Sequence, residues 1–209
     1  CGVEQNKWHN ADVYTHILRV VQNVPNDLVM RLTALLHDIG KPQCKSVDEN
    51  GYTHFYRHEE LSESMAREIL KRLKYDNDTI EEVCYLISHH MEFLTFPDSD
   101  KGIRKLLNRH GEDRLKKLIE FRRADMIGSG KNTDEVNQII NGYFERTEKV
   151  LQEKPPTQLV DLAIDGNDIM EVTGLKSGQR IGEIKNYLMT VVLENPQNNN
   201  RDDLIEFIK

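Results

Sequence analysis

The feature that most constrains this chain is the pair His37-Asp38, at the end of the apolar run LTALLHDIGKP, residues 32–42. Leu32, Leu35, Leu36 and Ile39 form a helical stretch expected to be buried. An ionised carboxylate carried into such a stretch is tolerated only where something positive meets it. A divalent first-row metal is the usual solution, because imidazole and carboxylate side by side suit such an ion. A His-Asp pair alone arises by chance in many chains, so its weight rests on what recurs elsewhere.

What recurs is histidine and aspartate on apolar helical faces. Positions 13, 17, 20, 21 and 24 make 11–24 an amphipathic helix, and His16 lies on its inward stripe. A second helix is expected from Asp27 to Ile39, ended by Gly40 and Pro42. Residues 43–56 are polar, carry the turn signal Asn50-Gly51, and read as a loop with a short extended piece. A third helix, 57–74, turns Leu61, Met65, Ile69 and Leu73 to one side, with His58 leading that stripe. Asp78-x-x-Glu81 reads as a capping box for a fourth helix, 79–93, where Val83, Ile87 and His90 align. His89 shares its stripe with Glu82 and is less inward than His90. Helices near 101–109 and 112–127 follow, the second placing Asp125 seven residues after Leu118. His54 falls in the polar loop, His110 beside Gly111 is expected to be exposed, and His9 has no periodic context.

Gly128-Ser129-Gly130 breaks the chain, and Asn132-x-x-Glu135 caps a long helix to Leu151. After Lys154-Pro155-Pro156 come helical pieces near 157–163, 166–172, 178–194 and 201–208. The expected fold is therefore all-α, with packed antiparallel neighbours. Its expected divisions are a metal-binding helical domain over 1–130, a connecting helix over 131–154 and a smaller C-terminal helical segment over 155–209.

His16, His37, Asp38, His58, His90 and Asp125 thus all point to the core by the ~3.6-residue period. A single core histidine is usually a hydrogen-bonded structural residue. Four imidazoles and two carboxylates together are harder to satisfy, because buried polar groups need partners; a metal cluster satisfies them at once. The donors are nitrogen and oxygen without thiolate, which disfavours structural zinc and favours one or two ions of Mn, Fe, Mg or Ni. Lys41, just past the helix end, is placed either to steady a phosphate as a point charge or to sit solvated at the negative end of the helix dipole. Arg57 and Arg123, beside proposed ligands, are weaker candidates for the same task.

The 209 residues fit one domain or about one and a half, and the formal net charge is −7. That balance argues against strong binding of bare nucleic acid by the chain as a whole. The densest basic stretch is Lys101, Arg104, Lys105, Arg109, Arg114, Lys116 and Lys117; within it Arg104, Lys105 and Arg109 are the positions to examine for RNA contact, against an ordinary solvated helix face. Cys1, Cys44 and Cys84 form no CxxC and read as free thiols of a reducing cytoplasm. No stretch reaches the ~18 apolar residues of a membrane span, and no signal peptide is evident.

The segments WHNADVYTHIL, ALLHDIGKP, YRHEELSESMAREILKRLK, VCYLISHHM and FRRADMIGSG resemble, in order, the HD region of bacterial tRNA nucleotidyltransferases, the CCA-adding and poly(A) polymerase family. The HD superfamily comprises metal-dependent phosphohydrolases with the signature H…HD…D and extra histidines in two-metal members. The tail LAIDGNDIMEVTGLKSGQRIGEIKNYLMTVVLENPQNN resembles that family's C-terminal helical segment. The resemblance implies a metal site of His16, His37, Asp38 and Asp125, completed at a second position by His58 and His90 with Asp38 bridging. Two divalent ions ~3.5–4 Å apart suit in-line attack of an activated water on a phosphoryl group. Asp38 and Lys41 are then the residues expected closest to the chemistry, and the expected partner is a phosphate-bearing small molecule or nucleotide, with tRNA the alternative. Nothing here resembles the Gly-Gly…Asp-x-Asp polymerising head, and GLKSGQRIG (174–182) does not follow a P-loop order. Nucleotide addition by this chain alone is therefore not expected. It reads as a phosphohydrolase module or as a tRNA-holding helical module with a vestigial metal site.

Overall fold

The computed structural model describes residues 2–3, 11–94 and 96–209, so His9 and Cys1 lie outside the described residues. The architecture is all-α, apart from a small hairpin. The chain packs as two compact units: residues 1–96 with 113–144, and residues 97–112 with 145–209. These limits differ from the sequence-based division near Lys154. Among the described residues no helix is long and apolar enough to cross a membrane.

In the first unit, α1 (Val13–Asn23) starts at Asp12, whose carboxylate accepts from the Thr15 amide. Helix α2 (Leu28–Leu36) is capped in the same way by Asp27 and the Met30 amide. It stops earlier than the expected Ile39: His37 is its C-cap, and Gly40 leads into a single turn, α3 (Lys41–Cys44). Leu36 is buried, but Leu35 on the same helix is 46% exposed, so the apolar run is not uniformly inward. The expected extended piece is a hairpin of β1 (Lys45–Val47) and β2 (Thr53–Phe55), antiparallel with Ser46 opposite His54.

Helix α4 (His58–Arg72) buries His58, Ser62, Ala66 and Leu70, a stripe one position round from the expected one; Leu73 is 59% exposed. The small side chains explain the rotation. A Cβ on Gly40 would lie 2.8 Å from the His58 carbonyl oxygen and 2.9 Å from the Ser62 nitrogen, so the α2–α3 turn packs against α4 by backbone contact. The Gly40 amide donates to Ser62 Oγ at 3.0 Å. Helix α5 (Asn77–His89) is capped by Asp76, not Asp78: the Asp76 carboxylate accepts from the amide and the hydroxyl of Thr79. Leu36, Ala66, Leu70, Ile80, Val83, Cys84 and Ile87 form a core among α2, α4 and α5.

The run Asp100–Gly128, labelled α6, is two helical stretches joined at Gly111, where φ is 73°. A Cβ on Gly128, at its end, would lie 2.6 Å from Val20 Cγ2, so this glycine lets α6 close on α1. Asn132 then caps α7 (Thr133–Gln152) through the amides of Asp134 and Glu135.

In the second unit, α8 (Gly166–Thr173), α9 (Gln179–Glu194) and α10 (Arg201–Glu206) surround Leu162, Ile164, Ile169, Ile181, Leu188, Val192 and Leu204. Asp165 and Asp168 form a reciprocal capping box on α8. His110 is buried here, contrary to the expectation of exposure.

Candidate metal centre

Three of the four histidines sit at the ends of their helices, and each is held by a carbonyl three residues earlier. His37 Nδ1 donates to the Ala34 carbonyl at 2.9 Å, His58 Nδ1 to Phe55 at 2.8 Å and His90 Nδ1 to Ile87 at 2.6 Å. A carbonyl only accepts, so the proton is on Nδ1 and each Nε2 lone pair points away from the helix end. All three lone pairs converge on Asp38. His37 Nε2 lies 3.2 Å from Oδ2 and His58 Nε2 3.2 Å from Oδ1. His90 Nε2 is 3.3 Å from His58 Nε2. His16, from α1, completes the other side, its Nε2 being 3.3 Å from His37 Nε2 and 3.4 Å from Asp38 Oδ2. Phe121 backs the cluster, its ring centroid 5.3 Å from that of His37.

Two groups result, His16–His37–Asp38 and Asp38–His58–His90, both buried, with the ligand atoms of each within 4.8 Å of one another. Asp38 belongs to both and gives a different oxygen to each. Nitrogen lone pairs facing a carboxylate or one another at such distances repel unless a proton or a metal cation lies between them. Bonds of about 2.1 Å at octahedral or tetrahedral angles put neighbouring ligand atoms roughly 3.0–3.4 Å apart. The observed spacings therefore fit a divalent ion in each group, and the carbonyl-held Nδ1–H groups are the supporting contacts that metal-binding histidines ordinarily have.

Charge balances tightly around the cluster. Burial opposes ionisation of Asp38, but His37, Lys41 and His58 outweigh it and hold the carboxyl well below the usual range. Burial likewise works against protonation of His37, and the Asp38 carboxylate overrides it and raises its pKa. His90 is pushed down to about 3 by burial and by the charge of His37. Asp125, despite burial, is held well below its ordinary value by His16 and Arg122.

Asp125 stands at the edge. Its Oδ1 lies 3.2 Å from His16 Nε2, while its Oδ2 accepts from Arg122 Nη1 at 2.5 Å. Lys41 is buried rather than solvated, with Nζ 2.6 Å from Asp38 Oδ2 and 5.5 Å from the Phe55 ring centroid. Arg122 is the charge that sequence reasoning missed, although its i,i+3 spacing to Asp125 was a readable signal. Arg123 instead bonds Glu120 and the Asn23 carbonyl, and Arg57 pairs with Glu60. His89 stacks on Tyr85 and bonds Ser88, away from the cluster. One side of the site opens into a cavity of about 510 Å³, lined by Asp38, Lys41, His58, His90, Arg122 and Asp125, among others.

The proposed RNA-contact residues lie in the second unit and are not alike. Arg104 is buried, and its guanidinium donates to the Leu193 and Glu194 carbonyls at the end of α9 at 2.9 and 3.2 Å, so the expectation of a surface position fails for it. Lys105 and Arg109 are exposed, with Lys105 Nζ 3.7 Å from Glu194. In the first unit, Arg114 and Lys117 are tied to Glu82 at 2.8 and 2.9 Å.

Helices that deliver histidines in this order to one shared aspartate define a class of helical metal-binding domains. The HD domain family matches residues 13–163, and the chain belongs to it. It is similar to the CC-adding tRNA nucleotidyltransferase of Thermus thermophilus, 27% identical over 199 residues, covering 92% of this chain and 44% of that protein. It is also similar to the A-adding tRNA nucleotidyltransferase of Deinococcus radiodurans, 29% identical over 192 residues, covering 88% of this chain and 43% of that protein. The chain spans less than half the length of these relatives. No solved structure gives a significant match.

Proposed function

We propose that this chain is a metal-dependent phosphohydrolase acting on a phosphomonoester or on a 2′,3′-cyclic or other nucleotide phosphodiester. The carrying observation is that Asp38 offers one carboxylate oxygen to each of two histidine pairs at the wall of an open cavity. Divalent ions held there supply a lowered water pKa and charge neutralisation at a phosphoryl group. The chain's own residues do the rest. His16, His37, Asp38, His58 and His90 would hold the ions, and Asp125, whose Oδ1 faces the same His16 Nε2 at 3.2 Å, would complete the His16–His37–Asp38 position. Lys41 and Arg122 put positive charge at the cavity wall, where a phosphate oxygen arrives. Membership of the HD family and the donor set support this reading.

The second reading is a tRNA-holding helical module with a secondary metal site. It is favoured by the names of the relatives, both tRNA nucleotidyltransferases. Of the three residues singled out for RNA contact, Lys105 and Arg109 are exposed.

The two separate in one set of measurements on the purified chain. Bound metal is quantified, and a general phosphatase substrate and 2′,3′-cyclic nucleotides are assayed with Mn, Ni and Mg. Hydrolysis abolished by His37→Ala and by Asp38→Ala supports the enzyme; stoichiometric metal without hydrolysis sinks it. A salt-dependent tRNA shift lost on neutralising Lys105 and Arg109 supports the second reading.

A further inference from the structure

Strand β2 and the turn that leads from it into His58 carry two rings, His54 and Tyr56, for which the proposed chemistry has no use. His54 and Tyr56 line the same cavity as Asp38, His58 and His90. Their rings stack, with centroids 5.1 Å apart and planes 7° from parallel. The stack is built in advance. His54 Nε2 lies 2.8 Å from Asp48 Oδ2, and Asp48 Oδ1 accepts the Asn50 and Tyr52 amides at 2.9 Å each, so the hairpin's own turn orients the imidazole. Arg57 follows in the left-handed region, φ 59° and ψ 26°, a conformation unfavourable for a non-glycine residue. That turn separates Tyr56, at the rim, from His58, inside. Tyr56 remains 70% exposed, so its ring has not been used for core packing. Lys41, Arg122 and Lys131 line the cavity as well. A stacked ring pair and three cations lining one cavity match a molecule that carries both a planar ring and a phosphate.

We propose that the stacked His54–Tyr56 pair is a nucleobase platform, so that the site takes a nucleoside phosphate in preference to a ring-free phosphate ester. The inference rests on the proposed function only for where the phosphate goes. Every nucleobase has a π face, so the platform favours bases over no base and separates one base from another weakly.

The test is calorimetric binding to the Mn-loaded full chain of adenosine 5′-monophosphate and of ribose 5-phosphate, with hydrolysis of both recorded in parallel. The wild type binds the adenine compound about tenfold more tightly. Tyr56→Ala removes that preference, Tyr56→Phe keeps it, and neither changes ribose 5-phosphate binding. Equal binding of the two compounds by the wild type, absence of binding, or a preference that survives Tyr56→Ala overturns the platform. So does an equal loss for both compounds in Tyr56→Ala, which marks the ring as structural. Adenine preference without hydrolysis supports the platform and counts against the phosphohydrolase; hydrolysis without preference does the reverse.

Discussion

The ammonium of Lys41 lies 2.6 Å from Oδ2 of Asp38, the same oxygen that His16 and His37 face at 3.4 and 3.2 Å. A cation in the His16–His37–Asp38 corner competes with this ammonium for one oxygen. Lys41 also lines the cavity, so an ammonium displaced from Asp38 by such a cation would still have the cavity within reach.

Lys41→Met keeps the apolar stem against Phe55 and removes the charge. Metal stoichiometry by elemental analysis is expected to stay at the wild-type value. Phosphate-ester hydrolysis is expected to fall about 100-fold, the usual cost of removing one preorganised charge stabiliser. An unchanged rate would show that Lys41 serves only to neutralise Asp38.

Asp38→Asn removes the shared ligand, so both metal positions are lost together. His90→Ala removes one ligand of the second group only and is expected to leave the first loaded. The check is metal content per chain and the metal-dependent rise in Tm, which for the wild type corresponds to about 2.7 kcal/mol at a hundredfold excess over Kd. A full metal complement in Asp38→Asn would remove Asp38 from the centre.

Stability of the metal-free protein is expected to peak near pH 6.5. His37 has a folded pKa above 6.5. It therefore binds more protons folded than unfolded above that pH, and its contribution is lost as pH rises through the folded value. His90, pushed to about 3, behaves oppositely: between 6.5 and 3 the unfolded chain binds the extra proton, so stability falls with pH there. Asp38 and Asp125, both depressed, add to the acid-side loss below 3.8. Metal replaces the His37 proton, so the alkaline decline should vanish in the loaded protein and metal affinity should rise with pH. Thermal melts from pH 4 to 9, with and without Mn, decide this; a metal-free Tm still rising above pH 7 contradicts it.

Gly40→Ala is expected to destabilise the chain by roughly 1–3 kcal/mol, because the added carbon meets backbone atoms of His58 and Ser62 that have no rotamer to change. It should also weaken metal binding, since it pushes α4, and His58 with it, away from Asp38. Denaturant melts and metal titration of the same variant test both halves.

The legible parts of this molecule were those set by period. His16, His37, His58 and His90 could be placed inward by counting along helices, and each is buried. Where counting failed, packing against a neighbour decided. Leu61 and Leu73 looked like the inner face of α4, but Gly40 needs Ser62 beside it, and the helix turns to supply it. Arg104 looked like a surface cation until the end of α9 supplied carbonyls for it. His110 sat beside a glycine, which suggested exposure; the positive φ of Gly111 breaks the helix instead. Tyr56 and His54 were invisible as a pair, because their stacking depends on the hairpin register and the Asp48 turn.

The Nδ1 contacts of His37, His58 and His90 carry a mechanical consequence. The Ala34 and Ile87 carbonyls belong to the final turns of α2 and α5, and Phe55 ends β2 three residues before α4; ends of elements are the first places to fray. If Ala34, Ile87 or Phe55 peels away, the corresponding imidazole loses its aim. The converse also holds: ions held at the two positions, which share Asp38, would together pin two helix exits and one helix entrance. Amide exchange at these termini should then slow together on metal loading, making the centre a clasp on the ends of α2, α4 and α5.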